Sequence, residues 1–429
     1  MKTAIKKELA LTMIILFAGL SLVPSIGSSN IIISTKEMAA KDESGLSILN
    51  IDASSPYDYG IKAGRLLGLQ CMLINRFAES KQFELPHEDV NKQIELMKEY
   101  CPSIIEEFEG LSASTHIKLE RLILLQNFLE SFFSEVCTAI ACTGKATKDG
   151  KTLLGQNMDA YKRSVSTFTG RFSFSHLWVK KISKGYKYVF LGIPVLCEKP
   201  LLNEKGLAVV GNDVIVTKDK NRTVDRGPGI PIITWYEMVM MNCKNVSEVI
   251  PYYKGDLKPT TCNKIFDNAI WVDNEGIIVD VEMTYNHLIT VFGDSTETTG
   301  TPEGILWHAN HHQWLDPNET GSIFPDEFLS SKLRAERARE LLLENYGNVT
   351  VEVLKKIFSD HGGGFDPNKK DSGDICSHPD LAHIFLPFND VTVKSVIINP
   401  KNFIIYRAIG SPCKTKYVEY NFSKIFDCT

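Results

Sequence analysis

Apolar residues recur at helical intervals from Pro56 to about Glu130. Within Tyr57 to Glu79 the stripe is Ile61, Ala63, Leu66, Leu67 and Leu69, with Leu73 and Ile74 a turn on. His87 to Tyr100 is mostly polar, with Val90, Ile94 and Met97 spaced for one face, and Ile117 to Leu129 repeats leucine at helical intervals. Spacing of this kind predicts amphipathic helices. After Glu130 short β-rich runs take over, at 138–141, 151–155, 172–179, 188–192 and 206–216. Helices are expected at 231–242 and 246–253, then strands at 265–272, 276–283 and 304–309. A second helix pair, 331–344 and 351–358, precedes strands at 384–387, 392–398 and 403–408. Runs of strands separated by helix pairs favour a layered α+β fold over alternating βαβ units. Two antiparallel sheets stacked face to face, with helices outside, accommodate this order.

The first residues are a separate object. Lys2, Lys6 and Lys7 precede an apolar run from Leu9 to Val23, and Pro24 leads into the small-x-small pattern Ser25-Ile26-Gly27. That is the anatomy of a secretory signal peptide over 1–27, with an uncleaved membrane anchor as the other reading. A secreted or extracytoplasmic location is therefore expected. N-x-S/T triplets at Asn221, Asn245, Asn318, Asn348 and Asn421 are compatible with export. The net charge of −5 over 429 residues gives no basic footprint, so no nucleic-acid partner is expected. The ten cysteines contain no C-x-x-C pair, which removes the zinc-ribbon and thioredoxin patterns. In an exported chain most would be expected in disulfides, and one working thiol leaves an odd number.

The switch from helical to β texture contains Ser134-Glu135-Val136-Cys137-Thr138-Ala139-Ile140-Ala141-Cys142 and continues to Gly155-Gln156-Asn157-Met158-Asp159. Upstream stand "YDYGIKAGRLLG" and "EGLSASTHIKLERLILLQNFLE". Downstream come "NEKGLAVVGND" (203–213), His308-Ala309-Asn310-His311 and Ser330-Ser331-Lys332-Leu333-Arg334. Asp360-His361-Gly362, Cys376-Ser377-His378 and "VIINPKNFIIYRAIGSPC" up to Cys413 complete the series. In this order the motifs resemble the cysteine members of the N-terminal nucleophile hydrolases, in particular the acyl-CoA:6-aminopenicillanate acyltransferase family.

The resemblance implies a four-layer αββα sandwich and an exported precursor that cuts itself between Val136 and Cys137. Residues 28–136 would then form a helical pro-segment, retained as a small chain, and 137–429 the catalytic chain. The freed α-amine of Cys137 titrates near ~8 and accepts the thiol proton without a histidine. The implied roles are Cys137 as nucleophile and base, Asp159 orienting the amine, and Asn310 as oxyanion donor. Asn212 matches a position that lines the substrate pocket in bile-salt and penicillin amidases, a hairpin amide being the other reading. Arg334 is a candidate for binding a carboxylate or for stabilising the site, its default being an exposed arginine on helix 331–344. The expected reaction is acyl transfer from a small N-acyl amide or acyl thioester, to water or an amine, with no cofactor and no metal. Export favours hydrolysis over transfer from a cytosolic CoA thioester. Gln156 stands where the bile-salt and penicillin V amidases place arginine, so no fixed positive charge is expected beside the nucleophile, and an apolar acyl chain is expected to be the better recognised half of the substrate. Val136 replaces the glycine of the fungal acyltransferases, and its β-branch is expected to slow self-cleavage.

Other classes are weighed against this one. His308, His311 and His312 cluster, as do His361, Cys376 and His378, so an exported zinc-dependent hydrolase is the first rival. If 305–312 were one strand, His308 and His312 would lie about 13 Å apart at ~3.3 Å per residue, too far for one ion. A non-catalytic exported binding protein of the same fold is the second. Gly362-Gly363-Gly364 lacks the context of a phosphate loop, and the chain has no G-x-S-x-G element.

Overall fold

The computed structural model describes residues 48–80, 87–132, 136–161, 176–182, 185–193, 196–214, 229–255, 266–284, 286–320, 329–362, 365–366, 371–377 and 390–427. The signal segment 1–27, the expected strand 384–387 and His378 lie outside them. Strand β1 (Ile48–Asp52) leads into helices α1 (Pro56–Ser80), α2 (His87–Tyr100), α3 (Pro102–Thr115) and α4 (Leu119–Phe132). Strands β2 (Val136–Gly144), β3 (Gly150–Tyr161), β4 (His176–Lys181), β5 (Tyr188–Ile193), β6 (Leu196–Asn203) and β7 (Ala208–Val214) follow. Helices α5 (Ile232–Asn242) and α6 (Val246–Lys254) precede β8 (Phe266–Val272), β9 (Ile278–Met283) and β10 (Leu288–Phe292). A one-turn helix α7 (Thr296–Thr299), β11 (Ile305–His308) and another short turn α8 (Pro317–Thr320) lead to α9 (Leu329–Glu344) and α10 (Val351–Phe358). The two-residue ribbon β12 (Phe365–Asp366) and β13 (Asp371–Ser372) comes before β14 (Asp390–Asn399), β15 (Ile404–Ile409) and β16 (Val418–Asn421).

The large sheet runs β1-β4-β5-β6-β7-β8-β9-β10 and the smaller one β11-β2-β3-β14-β15-β16. Every pairing in them is antiparallel except β1 with β4, where Ile48–Asp52 lies parallel to Leu177–Lys181. Three apolar clusters separate four layers. Tyr59, Phe108 and Leu122 of the N-terminal helices pack with Trp235 onto Phe190 and Trp271 of the large sheet. Ala139, Leu154, Val210 and Ile398 fill the space between the sheets. Ile140, Leu153 and Ile397 meet Ala338 and Leu354 of α9 and α10. The fold is the expected αββα sandwich. Strands covered on both faces need no polar alternation, which is why β2 is apolar on both faces at Ala139, Ile140, Ala141 and Cys142.

Sequence periodicity under-read several elements. Strand β1 has only Ile48, Leu49 and Ile51 to signal it. Strand β6 contains Pro200, a residue that counts against a strand from sequence alone. Helix α3 opens with Pro102 and ends at His116, which takes a left-handed φ of 59°. Its crossing with α1 is unusually close. A Cβ on Gly60 would sit 2.0 Å from Glu107 O, and one on Gly110 would sit 2.1 Å from Tyr57 O, so both glycines are required by backbone approach.

A buried ion cluster ties the N-terminal helices to the sheet. Lys180 of β4 donates to Glu237 Oε2 of α5 at 2.6 Å and pairs with Glu107 of α3. The Tyr188 hydroxyl also donates to Glu237 Oε2, at 2.5 Å, and the Lys180 ammonium lies 5.1 Å from the Tyr59 ring centre. Burial pushes Glu107 up to about 7; Lys180 counters this and the Glu237 charge adds to it. Among the described residues no helix is long and apolar enough to cross a membrane.

Candidate active site

Cys137 is the second residue of β2 and is buried at the end of the strand. It pairs with Met158 across the hairpin, and Val136 pairs with Asp159. Side chains alternate along a strand, so Cys137 shares the inter-sheet side with Ala139 and Ala141. Asp159 shares the opposite, helix-facing side with Gly155 and Asn157. There a Cβ at 155 would run into Phe358 at 2.4 Å, and Asn157 donates to Phe358 O and Ile375 O at 2.8 Å each. Thiol and carboxylate thus flank the strand backbone at the Val136–Cys137 junction. Thr392 Oγ1 donates to Asp159 Oδ1 at 2.5 Å, and that hydroxyl in turn accepts from Ser377 N at 2.8 Å.

Asn310 lies two residues past β11 and is buried against the start of β2. The backbone N–H of Cys137 donates to Asn310 Oδ1 at 2.8 Å, and Asn310 Nδ2 donates to Asp213 O at 2.9 Å. The Asn310 backbone N–H is fixed by Ser331 Oγ at 2.7 Å. Asn310 therefore meets Cys137 through its carbonyl oxygen in this state of the chain, and its amide hydrogens face Asp213.

The expectation for Arg334 is corrected. Instead of standing exposed on its helix, it is buried, and Nη1 donates to Cys137 O and, at 2.9 Å, to Thr138 Oγ1. Its Nη2 donates to Asn310 Oδ1 at 2.9 Å, and Nε reaches Ser330 Oγ at 3.3 Å. The guanidinium is engaged in fixing the backbone of Cys137. This overturns a second expectation, that replacing an arginine by Gln156 leaves no fixed positive charge beside Cys137. Helix α9 supplies that charge from a distant part of the chain. Gln156 donates to Gly211 O at 2.6 Å and to Asn212 Oδ1 at 3.0 Å, while Asn212 Nδ2 donates to Ala309 O at 3.0 Å. Asn212 thus bridges the two sheets beneath the segment that carries Asn310.

The histidine geometry also differs from expectation. Strand β11 ends at His308, and the turn that follows brings His308 and His312 onto one carboxylate, at 2.8 and 3.8 Å from Glu282. The separation of about 13 Å, which assumed ~3.3 Å per residue of extended chain, does not apply. Glu282 also accepts from the backbone N–H groups of Gln313 (2.5 Å), Trp314 (3.0 Å) and Leu315 (2.8 Å), which bolts down the loop bearing Asn310. His311 turns the other way, its Nδ1 on Ser331 Oγ at 2.7 Å. Burial pushes His311 down to about 3 and His312 down to about 4. Burial also opposes a charge on His308, but Asp280 and Glu282 outweigh it and hold His308 up at about 9.

The His308 ring supports that charge geometrically, with acceptors at both nitrogens: Glu282 Oε1, and Ala309 O at 2.6 Å from Nδ1. A folded pKa above the unfolded value near ~6.5 adds stability that is complete below 6.5 and is lost as pH rises through about 9. The melting temperature is expected to fall across that window, and His308→Gln should remove the step. A wild-type profile that is flat or rises between those pH values contradicts the imidazolium.

Two groups of metal-ligand type occur among the described residues, Asp280/Glu282/His308 and His361/Cys376/Cys413. In the first, Glu282 is saturated by the donors above. The cysteines at 71, 101, 137, 142, 243, 376 and 413 form no disulfide. Sequence reading missed Thr392, Glu282 and Ser331 as parts of the site. Each is an ordinary residue of a strand or helix, and only the fold brings it to the reacting centre.

No family model matches the chain, and no curated protein matches it. Solved structures similar to it include a mutant of the conjugated bile acid hydrolase from Clostridium perfringens, at 15% identity and a TM-score of 0.43, covering 67% of this chain and 93% of that one. The penicillin V acylase from Agrobacterium tumefaciens is similar at 13% identity and a TM-score of 0.43, covering 67% of this chain and 87% of that one.

Proposed function

We propose that the protein is an exported, self-processing cysteine amidohydrolase or acyltransferase that acts on small N-acyl amides or acyl thioesters through an acyl-Cys137 intermediate. One observation carries the reading: the backbone of Cys137 is held on both sides, its N–H by Asn310 at 2.8 Å and its carbonyl by Arg334, with Asp159 across the hairpin at Val136. A buried cysteine with only a packing role needs no such clamp.

In this reading the Cys137 thiol attacks the Val136 carbonyl carbon, the peptide nitrogen leaves as the α-amine of Cys137, and water hydrolyses the resulting thioester. The pro-segment 28–136 stays bound and 137–429 becomes the catalytic chain. The new amine, anchored on Asn310 Oδ1 and oriented by Asp159, takes the thiol proton. The thiolate attacks the substrate acyl carbon, the amine or thiol leaving group takes that proton, and water releases the acid. Asn310 Nδ2 is assigned to the oxyanion and Arg334 supplies fixed positive charge behind the nucleophile.

The test is a panel of N-acyl amides, acyl-CoA thioesters and peptides, with adducts read by mass spectrometry. An acyl adduct on Cys137 from small N-acyl amides is expected. Asn310→Ala should lower kcat by ~10²–10³. Wild-type turnover in Asn310→Ala removes the oxyanion assignment. Cleavage of long peptides with no adduct on Cys137, or turnover abolished by chelators and indifferent to Cys137 alkylation, removes the mechanism.

A further inference from the structure

We propose that His361, Cys376 and Cys413 bind one thiophilic divalent cation of the zinc class, forming a clip beside the Thr392–Asp159 pair. The site is independent of the acyl chemistry proposed above. Its three ligand atoms, two sulfurs and an imidazole nitrogen, all lie within 4.8 Å of one another. Zn–S bonds of ~2.3 Å and Zn–N bonds of ~2.05 Å in a tetrahedron require ligand separations of ~3.5–3.8 Å, so closure needs side-chain adjustment of only about an ångström.

The ligands come from three segments that backbone bonds already hold together. Cys376 N donates to Asp360 O at 3.0 Å, which joins the residue before His361 to the buried cysteine. Thr392 N donates to Ser377 O at 2.7 Å and Gly410 N to Val393 O at 2.7 Å, which brings the turn of Cys413 alongside. Asp360 is itself fixed by Arg337, with both guanidinium bonds at 2.9 Å. That carboxylate is therefore spent, and water is the natural fourth ligand. His361 and Cys413 are exposed while Cys376 is buried, which gives a cation a route in and a desolvated sulfur to bind. Binding takes both sulfurs as thiolates, any thiol proton passing to solvent, and leaves a neutral dithiolate–cation unit. A disulfide between Cys376 and Cys413 would use the sulfurs alone; the imidazole converging on both is what favours a cation.

Cys376 lies one step from the support of Asp159. Ser377, next to Cys376, donates to Thr392 Oγ1 at 2.8 Å, and Thr392 holds Asp159. The cation thereby fixes the segment that positions Asp159.

Full-length protein, purified under a non-coordinating reductant and freed of metal, is titrated with Co²⁺ and then Zn²⁺. One equivalent of Co²⁺ with thiolate-to-metal charge transfer and tetrahedral visible bands is expected, displaced by one equivalent of Zn²⁺. Cys137→Ala should leave both readouts intact. Cys413→Ser, an exposed position where folding is not at stake, should lose the charge-transfer intensity of one thiolate and weaken Zn²⁺ at least ~10-fold, and His361→Ala should weaken it similarly. Failure of the wild type to bind, unchanged spectra in Cys413→Ser, or a Cys376–Cys413 disulfide in protein isolated without reductant overturns the proposal.

Discussion

Purified wild-type protein is expected as two polypeptides, the larger beginning at Cys137, and Cys137→Ala as one. The alanine variant keeps the backbone bonds to Asn310 and Arg334, since both contact main-chain atoms of residue 137. It therefore folds and lacks only the thiol, so loss of cleavage reports chemistry and not misfolding. Catalysis should fall to background in the same variant, because the proposed mechanism makes nucleophile and base one residue. Val136→Gly should speed the cut by relieving the β-branch at the scissile carbonyl. N-terminal sequencing with intact mass reads every outcome. A fully active wild type that remains one chain across residues 136 and 137 would end the mechanism, because Cys137 then has no free amine.

Lys180→Met is expected to be the most destabilising substitution outside the site. It leaves Glu107 and Glu237 buried without their cation, and breaking such a cluster from one side costs ~3–5 kcal/mol. Because Glu107 belongs to the N-terminal helices and Lys180 to the large sheet, the effect should show after self-cleavage as loss of the small chain in mild denaturant. Replacing all three charges by apolar residues of similar volume should restore much of the loss. Size-exclusion chromatography against denaturant separates the cases. Co-migration of both chains in Lys180→Met at wild-type denaturant concentrations would show that the cluster does not hold them together.

Much of the layer order was legible because helical and β texture alternate in long blocks. Cys137, Asp159 and Asn310 were legible as an ordered set of motifs, each too ordinary to stand out singly. The role of Arg334 was not. On a helix its position reads as solvent-facing, and only the packing of α9 against β2 and β11 delivers it to Cys137 O. Strand β6 was hidden by its proline, and the turn after His308 by the apolar run that precedes it. Glu282 was invisible for a different reason: besides His308 and His312 its partners are backbone N–H groups at 313–315, which no side-chain pattern encodes.

The parallel seam between β1 and β4 has a consequence for how the molecule is assembled. Residues 48–52 are made before any of the sheet they border, so the growing chain carries its own edge template ahead of the strands that will need it. A 137–429 polypeptide synthesised alone would present β4 as an open edge and leave uncovered the part of the large sheet on which the N-terminal helices pack, a surface prone to intermolecular pairing. If the proposed cut occurs, a 28–136 piece supplied from a second gene is expected to rescue folding of 137–429, read by co-expression against 137–429 alone.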